Sequence, residues 1–177
     1  MYKRQVIPPV LGDGLPISFS GVDQIQGGGG ADNFCIRSSN VDLEVSGGIG
    51  NDQFIVTGLG VGAIDLIGEA GDDTYDVTFS PEGVITIIDS VGSENDTLIG
   101  RGSADRDTFV FTEGGVEVND GLLVYVGVEN GSFDGLDNDD QFILRGNNQT
   151  FDGVVSLTGG DGNDSFCLLY TSPSPRD

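Results

Sequence analysis

Aspartates that close short glycine turns are the residues in this chain best suited to chemistry. The clearest example is Gly47-Gly48-Ile49-Gly50-Asn51-Asp52, followed at once by Gln53-Phe54-Ile55-Val56. Glycines can take φ > 0 at no steric cost, so such a turn can curl tightly and converge its carbonyls. Asp52 adds a carboxylate to those oxygens. A compact set of carbonyl and carboxylate oxygens suits a hard cation such as calcium. The phrase recurs at 27–34, 68–75 and 159–166, and more loosely at 135–142 and 93–98. Asp32, Asp52, Asp73, Asp96, Asp140 and Asp164 are therefore the candidate metal ligands. Backbone carbonyls of Gly28, Gly30, Gly48, Gly50, Gly71, Gly160 and Gly162 would complete the shell. The competing reading is that each aspartate caps its own turn through side-chain to backbone hydrogen bonds.

The elements that must position these turns are short strands. Phe34 and Ile36 alternate with polar neighbours, as do Val41, Leu43 and Val45, Phe54 and Val56, Ile64 and Leu66, and Tyr75 and Val77. A period of two marks a half-buried strand. Phe34, Phe54 and Tyr75 lie 20 and 21 residues apart. Two five-residue strands and two turns use about 20 residues, and one such coil cannot bury its own apolar face. The pattern predicts an all-β fold, a parallel β-roll or β-solenoid with coils of about 20 residues. Stacking would align Asp32, Asp52, Asp73 and Asp96 on one edge. The opposite edge (37–40, 57–62, 79–83) has no shared acidic pattern, so the expectation is calcium on one edge only.

The solenoid domain is expected over residues 21–166, regular at 21–99, degenerate at 100–148 and regular again at 149–166, after an irregular lead-in at 6–20. Phe109 and Phe142 are 33 residues apart, too far for one coil. Val116 and Val118, then Leu122, Val124 and Val126, predict an extra strand pair around Asn119-Asp120-Gly121. Arg101 and Arg106 are placed to neutralise acids of the degenerate turn in place of metal.

The chain carries 29 acidic and seven basic residues and no histidine, a net charge of −22. That argues against a nucleic-acid partner, which needs Lys and Arg for phosphates, and against anionic membrane. No apolar run is long enough for a membrane span. Serine or cysteine nucleophiles paired with histidine are impossible. Residues 1–5 and 167–177 do not follow the repeat. They resemble translated sequencing-adapter read-through and are read as a non-native leader and tail. The remainder begins and ends within a repeat, so flanking domains of a longer parent chain are expected. Cys35 and Cys167 should face outward, and no disulfide is expected.

The turns at 27–36, 47–56, 68–77 and 159–166 resemble the haemolysin-type calcium-binding (RTX) repeat, whose signature is Gly-Gly-x-Gly-x-Asp before an apolar strand residue. The resemblance covers residues 21–166 in patches. It implies a calcium-stabilised solenoid in an extracellular or cell-surface bacterial protein. The chain departs from the tandem array in having one motif per coil of about 20 residues. The reading is thus a non-enzymatic structural module that binds calcium. The alternatives are an adhesin or polysaccharide-binding surface without metal dependence, and a fragment of a β-helix enzyme acting on polysaccharide. Open solenoid ends would favour end-to-end self-association.

Overall fold

A computed structural model describes residues 22–37, 42–58, 62–79, 83–89, 95–112, 114–145, 151 and 153–169. The described residues form strands and turns with no helix. The first coils each contribute two strands. They are β1 (Gln24–Gly29) and β2 (Asn33–Arg37), β3 (Leu43–Ile49) and β4 (Gln53–Thr57), β5 (Ala63–Ala70) and β6 (Thr74–Thr78), then β7 (Val84–Ile88) and β8 (Thr97–Arg101). Odd and even strands stack in two separate parallel sheets, β1-β3-β5-β7 and β2-β4-β6-β8. The fold is a β-solenoid of about five turns. The alternating sequence dictates this arrangement. Val45, Phe54, Val56, Ile64, Leu66, Tyr75 and Val77 all point in and are buried, while the polar residues between them face water.

Parallel register places like on like. Phe34 pairs with Phe54, and Phe54 with Tyr75. Their rings stack at 5.0 Å between centroids at each step. That spacing is close to the strand separation within a sheet. Each aromatic buried this way contributes about 1.5–3 kcal/mol through removal of apolar surface from water. Cys35, in the outward register between Phe34 and Ile36, is exposed, and both cysteines are free thiols.

The regular alternation changes after β8. The chain runs through β9 (Thr108–Thr112), β10 (Gly115–Val118) and β11 (Gly121–Val126) as an antiparallel meander. The strand pair expected around Asn119-Asp120-Gly121 is β10 and β11. β11 then returns to stack in parallel on β7. β12 (Asn130–Asp134) stacks on β8, and β13 (Gln141–Arg145) stacks on β9. β14 (Val155–Thr158) and β15 (Ser165–Leu169) complete the two sheets. The 33 residues between Phe109 and Phe142 are the meander plus one coil. A second ring column results: Phe109 on Phe142 at 4.6 Å and Phe142 on Phe166 at 5.0 Å.

β15 continues to Leu169, three residues into the segment read as tail. There Cys167, Leu168 and Leu169 pair with Ile143, Leu144 and Arg145. Backbone pairing needs no particular side chain, and Leu168 and Leu169 remain more than half exposed. The lead-in 6–20, Val41, most of the polar turns at 37–40, 57–62 and 79–83, and the start of the insertion before Asp96 lie outside the described residues.

Candidate metal centre

Each glycine turn is built the same way. The first glycine precedes its aspartate by five residues: Gly27 and Asp32, Gly47 and Asp52, Gly68 and Asp73, Gly102 and Asp107, Gly135 and Asp140, Gly159 and Asp164. In every case a Cβ on that glycine would overlap the aspartate carboxylate. The glycine is therefore required by space rather than by flexibility. The carboxylate folds back into its own turn, and Asp52, Asp73, Asp107 and Asp140 are buried there; Asp96 is buried too, without a glycine five residues before it.

Outside the turn 102–107, the second and fourth positions carry left-handed backbone. Gly28, Gly30, Gly48, Gly50, Gly71, Gly160 and Gly162 all have positive φ. So do Glu69, Leu136 and Asn138, which stand where other turns have glycine. The turn geometry thus survives where the glycine signature fades.

Adjacent turns are joined by a carboxylate ladder. Asp52 Oδ1 accepts the backbone N–H of Asp32 at 2.7 Å, and Asp73 Oδ1 accepts that of Asp52 at 2.7 Å. Asp96 Oδ1 accepts from Asp73 at 2.8 Å, and Glu129 Oε2 accepts from Asp96 at 2.9 Å. A second ladder runs through Asp107, Asp140 and Asp164. Asp140 Oδ1 accepts from Asp107 at 2.8 Å, and Asp164 Oδ1 from Asp140 at 2.9 Å. The hydrogen-bonded aspartates expected under the capping reading are present; the ladder bonds run from coil to coil, while Asp107 also accepts within its own turn from the N–H of Ser103.

The two ladders occupy different edges, which corrects the expectation of one acidic edge. Asp32, Asp52 and Asp73 sit where the first sheet hands over to the second, and Asp96 follows them. Asp107, Asp140 and Asp164 sit where the second sheet hands back to the first. The cause is β9. By entering directly after the turn 102–107 it converts the returning edge into an aspartate edge, and β13 and β15 follow its register. Sequence spacing alone could not show this, because both kinds of turn have the same spelling.

In Asp52 and Asp140 the ladder bond uses one carboxylate oxygen and leaves chemistry for the other. Asp52 Oδ2 and Asp140 Oδ2 are buried without a hydrogen-bond partner. Burial pushes both carboxyls above the ordinary carboxylate range; the backbone N–H each accepts opposes this, and neighbouring carboxylates reinforce it. Asp139, exposed on the second edge, is held below that range by hydrogen bonds from Asn163.

The densest group lies under the first ladder. Asp73, Asp89 and Asp96 are all buried, and each offers an oxygen within 4.8 Å of the other two. Asp89 follows β7 and belongs to no glycine turn, so no motif marked it in the sequence. It is brought in by Tyr75, whose hydroxyl donates to Asp89 Oδ2 at 2.5 Å. Burial and that hydrogen bond raise the Tyr75 hydroxyl far above the usual phenol range, so it stays a donor. Gly68 faces this point too; a Cβ there would meet Asp73 Oδ2, Tyr75 Oη and Asp89 Oδ2.

Arginine does not serve the ladders. Arg101 pairs with Asp76 on the outward face of β6. Asp107 is instead met by the N–H of Ser103 at 2.6 Å and the amide of Asn119 at 2.6 Å.

This arrangement fits a divalent cation. Three buried carboxylates cannot all be ionised together without a counter-charge. All the donors are oxygens, and the absence of a side chain at Gly68 leaves room for three of them, Asp73 Oδ2, Tyr75 Oη and Asp89 Oδ2. Comparison with known protein families, curated proteins and solved structures gives no match. The resemblance to RTX repeats rests on the turn residues themselves.

Proposed function

We propose that the chain is a calcium-binding structural module, in which cations held at the aspartate turns stabilise the stacked coils. The observation that carries this reading is the buried trio Asp73, Asp89 and Asp96, three carboxylates that could hold a metal ion. Asp73 and Asp96 are contributed by successive coils, and Asp89 by the residue directly after β7. A cation between them ties those coils together, so binding free energy becomes folding free energy. Calcium is favoured over softer metals because the donors are carboxylate oxygens.

Such a module belongs where calcium is abundant. We therefore place the protein outside the cell or on its surface, as a non-enzymatic part of a longer chain. No helix among the described residues is long and apolar enough to cross a membrane. Exposed Phe166, Leu168 and Leu169 on β15 support the expected end-to-end association, which light scattering tests.

The test of the metal reading is calorimetric titration of calcium into chelator-treated protein, with magnesium as the control. Saturable calcium binding that is weakened in Asp73→Asn and Asp96→Asn supports it. Absence of heat, or binding in both variants equal to that of the parent, overturns it.

A further inference from the structure

Two of the three buried carboxylates are held in place by a segment that supplies none of them. Ile67 of β5 pairs with Ile88 of β7, and Ile88 with Val126 of β11. One step further along the chain come Gly68, Asp89 and Gly127. Asp89 thus stands in a column that the coils on either side fill with glycine. Both glycines leave it room. A Cβ on Gly68 would meet Asp89 Oδ2, and a Cβ on Gly127 would lie 2.6 Å from the Asp89 carbonyl oxygen and 3.2 Å from its Cβ. Gly127 has a φ of 82°, in the left-handed range. The N–H of Asp89 donates to the Val126 carbonyl at 2.9 Å. The backbone of Asp89 is therefore seated against 126–127, while its carboxylate meets the Tyr75 hydroxyl on the other side.

The same turn holds Asp96. Glu129 Oε2 accepts the N–H of Asp96 at 2.9 Å, and the N–H of Asn130 donates to the Asp96 carbonyl at 3.0 Å. Glu129 is the last member of the first ladder. In the next coil Gly153 donates its N–H to the Glu129 carbonyl at 2.9 Å and has no carboxylate with which to continue. Asp52, Asp73 and Asp96 are buried, but Glu129 is half-buried. It is not among the carboxylates close enough to share an ion with Asp73, Asp89 and Asp96. Its contact is with the peptide that carries one of them.

We propose that Glu129 and Gly127 are positioning residues of the cation site, Glu129 acting through Asp96 and Gly127 through Asp89. The proposal rests on the metal reading given above. It makes the site a product of three coils: two supply the carboxylates, and the third fixes where they stand. What position 129 provides is an acceptor of the right reach, rather than a charge for the ion. Partners that orient metal ligands commonly change affinity tenfold or more when lost.

The test is calorimetric titration of calcium into the full chain, with hydrogen exchange of the Asp96 amide in saturating calcium as a second readout. Glu129→Gln keeps an acceptor of the same reach and loses the charge. Glu129→Met keeps the length and loses the acceptor. Glu117→Gln, at an exposed acid on β10, controls for the loss of one negative charge. The Gln variant and the control should bind calcium much as the parent does. The Met variant should bind about tenfold more weakly, and it alone should exchange the Asp96 amide faster. Gly127→Ala leaves Glu129 intact and is the second variant; it should weaken calcium binding about tenfold through Asp89. If the parent binds calcium but the Met and Ala variants bind it equally well, this proposal is overturned and the metal reading stands. A Gln variant as weak as the Met variant also overturns it, because charge would then be what matters. A parent that binds no calcium overturns both.

Discussion

Asp52 Oδ1 accepts the backbone N–H of Asp32 one coil away, at 2.7 Å, while its Oδ2 is buried with no hydrogen-bond partner. One carboxylate thus divides two tasks. One oxygen fixes coil spacing, and the other keeps a charge that the fold itself does not neutralise.

Substitution separates those tasks. Asp52→Asn keeps an oxygen that can accept from Asp32 but removes the charge. It should fold more readily than the parent in chelator and gain less from calcium. Asp52→Ala removes the acceptor as well and leaves the half-buried N–H of Asp32 unpaired, a loss of about 1 kcal/mol. Chemical denaturation of both variants, with and without calcium, reads the difference. Equal behaviour of Asn and Ala would show that the ladder bond contributes nothing.

Asp89 is the candidate ligand that sequence did not suggest. Asp89→Asn should raise the calcium concentration at half-saturation by about 10–100-fold, the range typical for loss of a group supporting a metal. Tyr75→Phe removes the donor that holds Asp89 Oδ2 and should weaken calcium binding less than Asp89→Asn does. Calorimetry of both variants checks the order; calcium binding unaffected in either would remove Asp89 from the site.

Why Asp89 was missed while the turns were not is a matter of range. The glycine turns repeat at a fixed period and carry a local steric rule: the first glycine must leave room for the carboxylate five residues later. Such rules are written in neighbouring residues. The inward columns were legible for the same reason, since Phe34, Phe54 and Tyr75 announce themselves by alternation and period. Asp89 meets Asp73 and Asp96 only through stacking. The move of Asp107, Asp140 and Asp164 to the other edge depends on where the β9–β11 meander returns to the sheet. Neither has a local signature. Leu136 and Asn138 show the converse, with glycine geometry imposed by the stack on residues that do not prefer it.

The steric rule can be tested directly. Gly47→Ala places a methyl group against the Asp52 carboxylate and should destabilise by about 1–3 kcal/mol, as overpacking does elsewhere. Gly29→Ala is the control, because that position is open and its φ is not in the left-handed range. Thermal melts of the two variants should differ clearly, and matching melts would refute the packing argument.

Acid should partly replace the cation. The raised carboxyls of Asp52 and Asp140 take up protons more readily when folded than when unfolded. Their stabilising contribution is fully present below the ordinary Asp value of about 3.9 and is lost as pH rises through their raised values. In chelator, the melting temperature should therefore rise as pH falls from neutral toward that value. Asp139 has the opposite sign: its lowered carboxyl stabilises above the ordinary range and loses that contribution as pH falls through its own value. In calcium the trend should reverse, since protons compete with the cation. A chelated protein that only loses stability on acidification would contradict the assignment of uncompensated buried charge.

The most direct test of the central claim is far-UV circular dichroism of the chain in chelator, followed by titration with calcium and, separately, with magnesium. The account predicts a cooperative gain of β signal with calcium that magnesium does not reproduce. A spectrum already fully β in chelator and unmoved by calcium would mean that the aspartate ladders are self-sufficient hydrogen-bonded supports, and the metal-binding reading would be wrong.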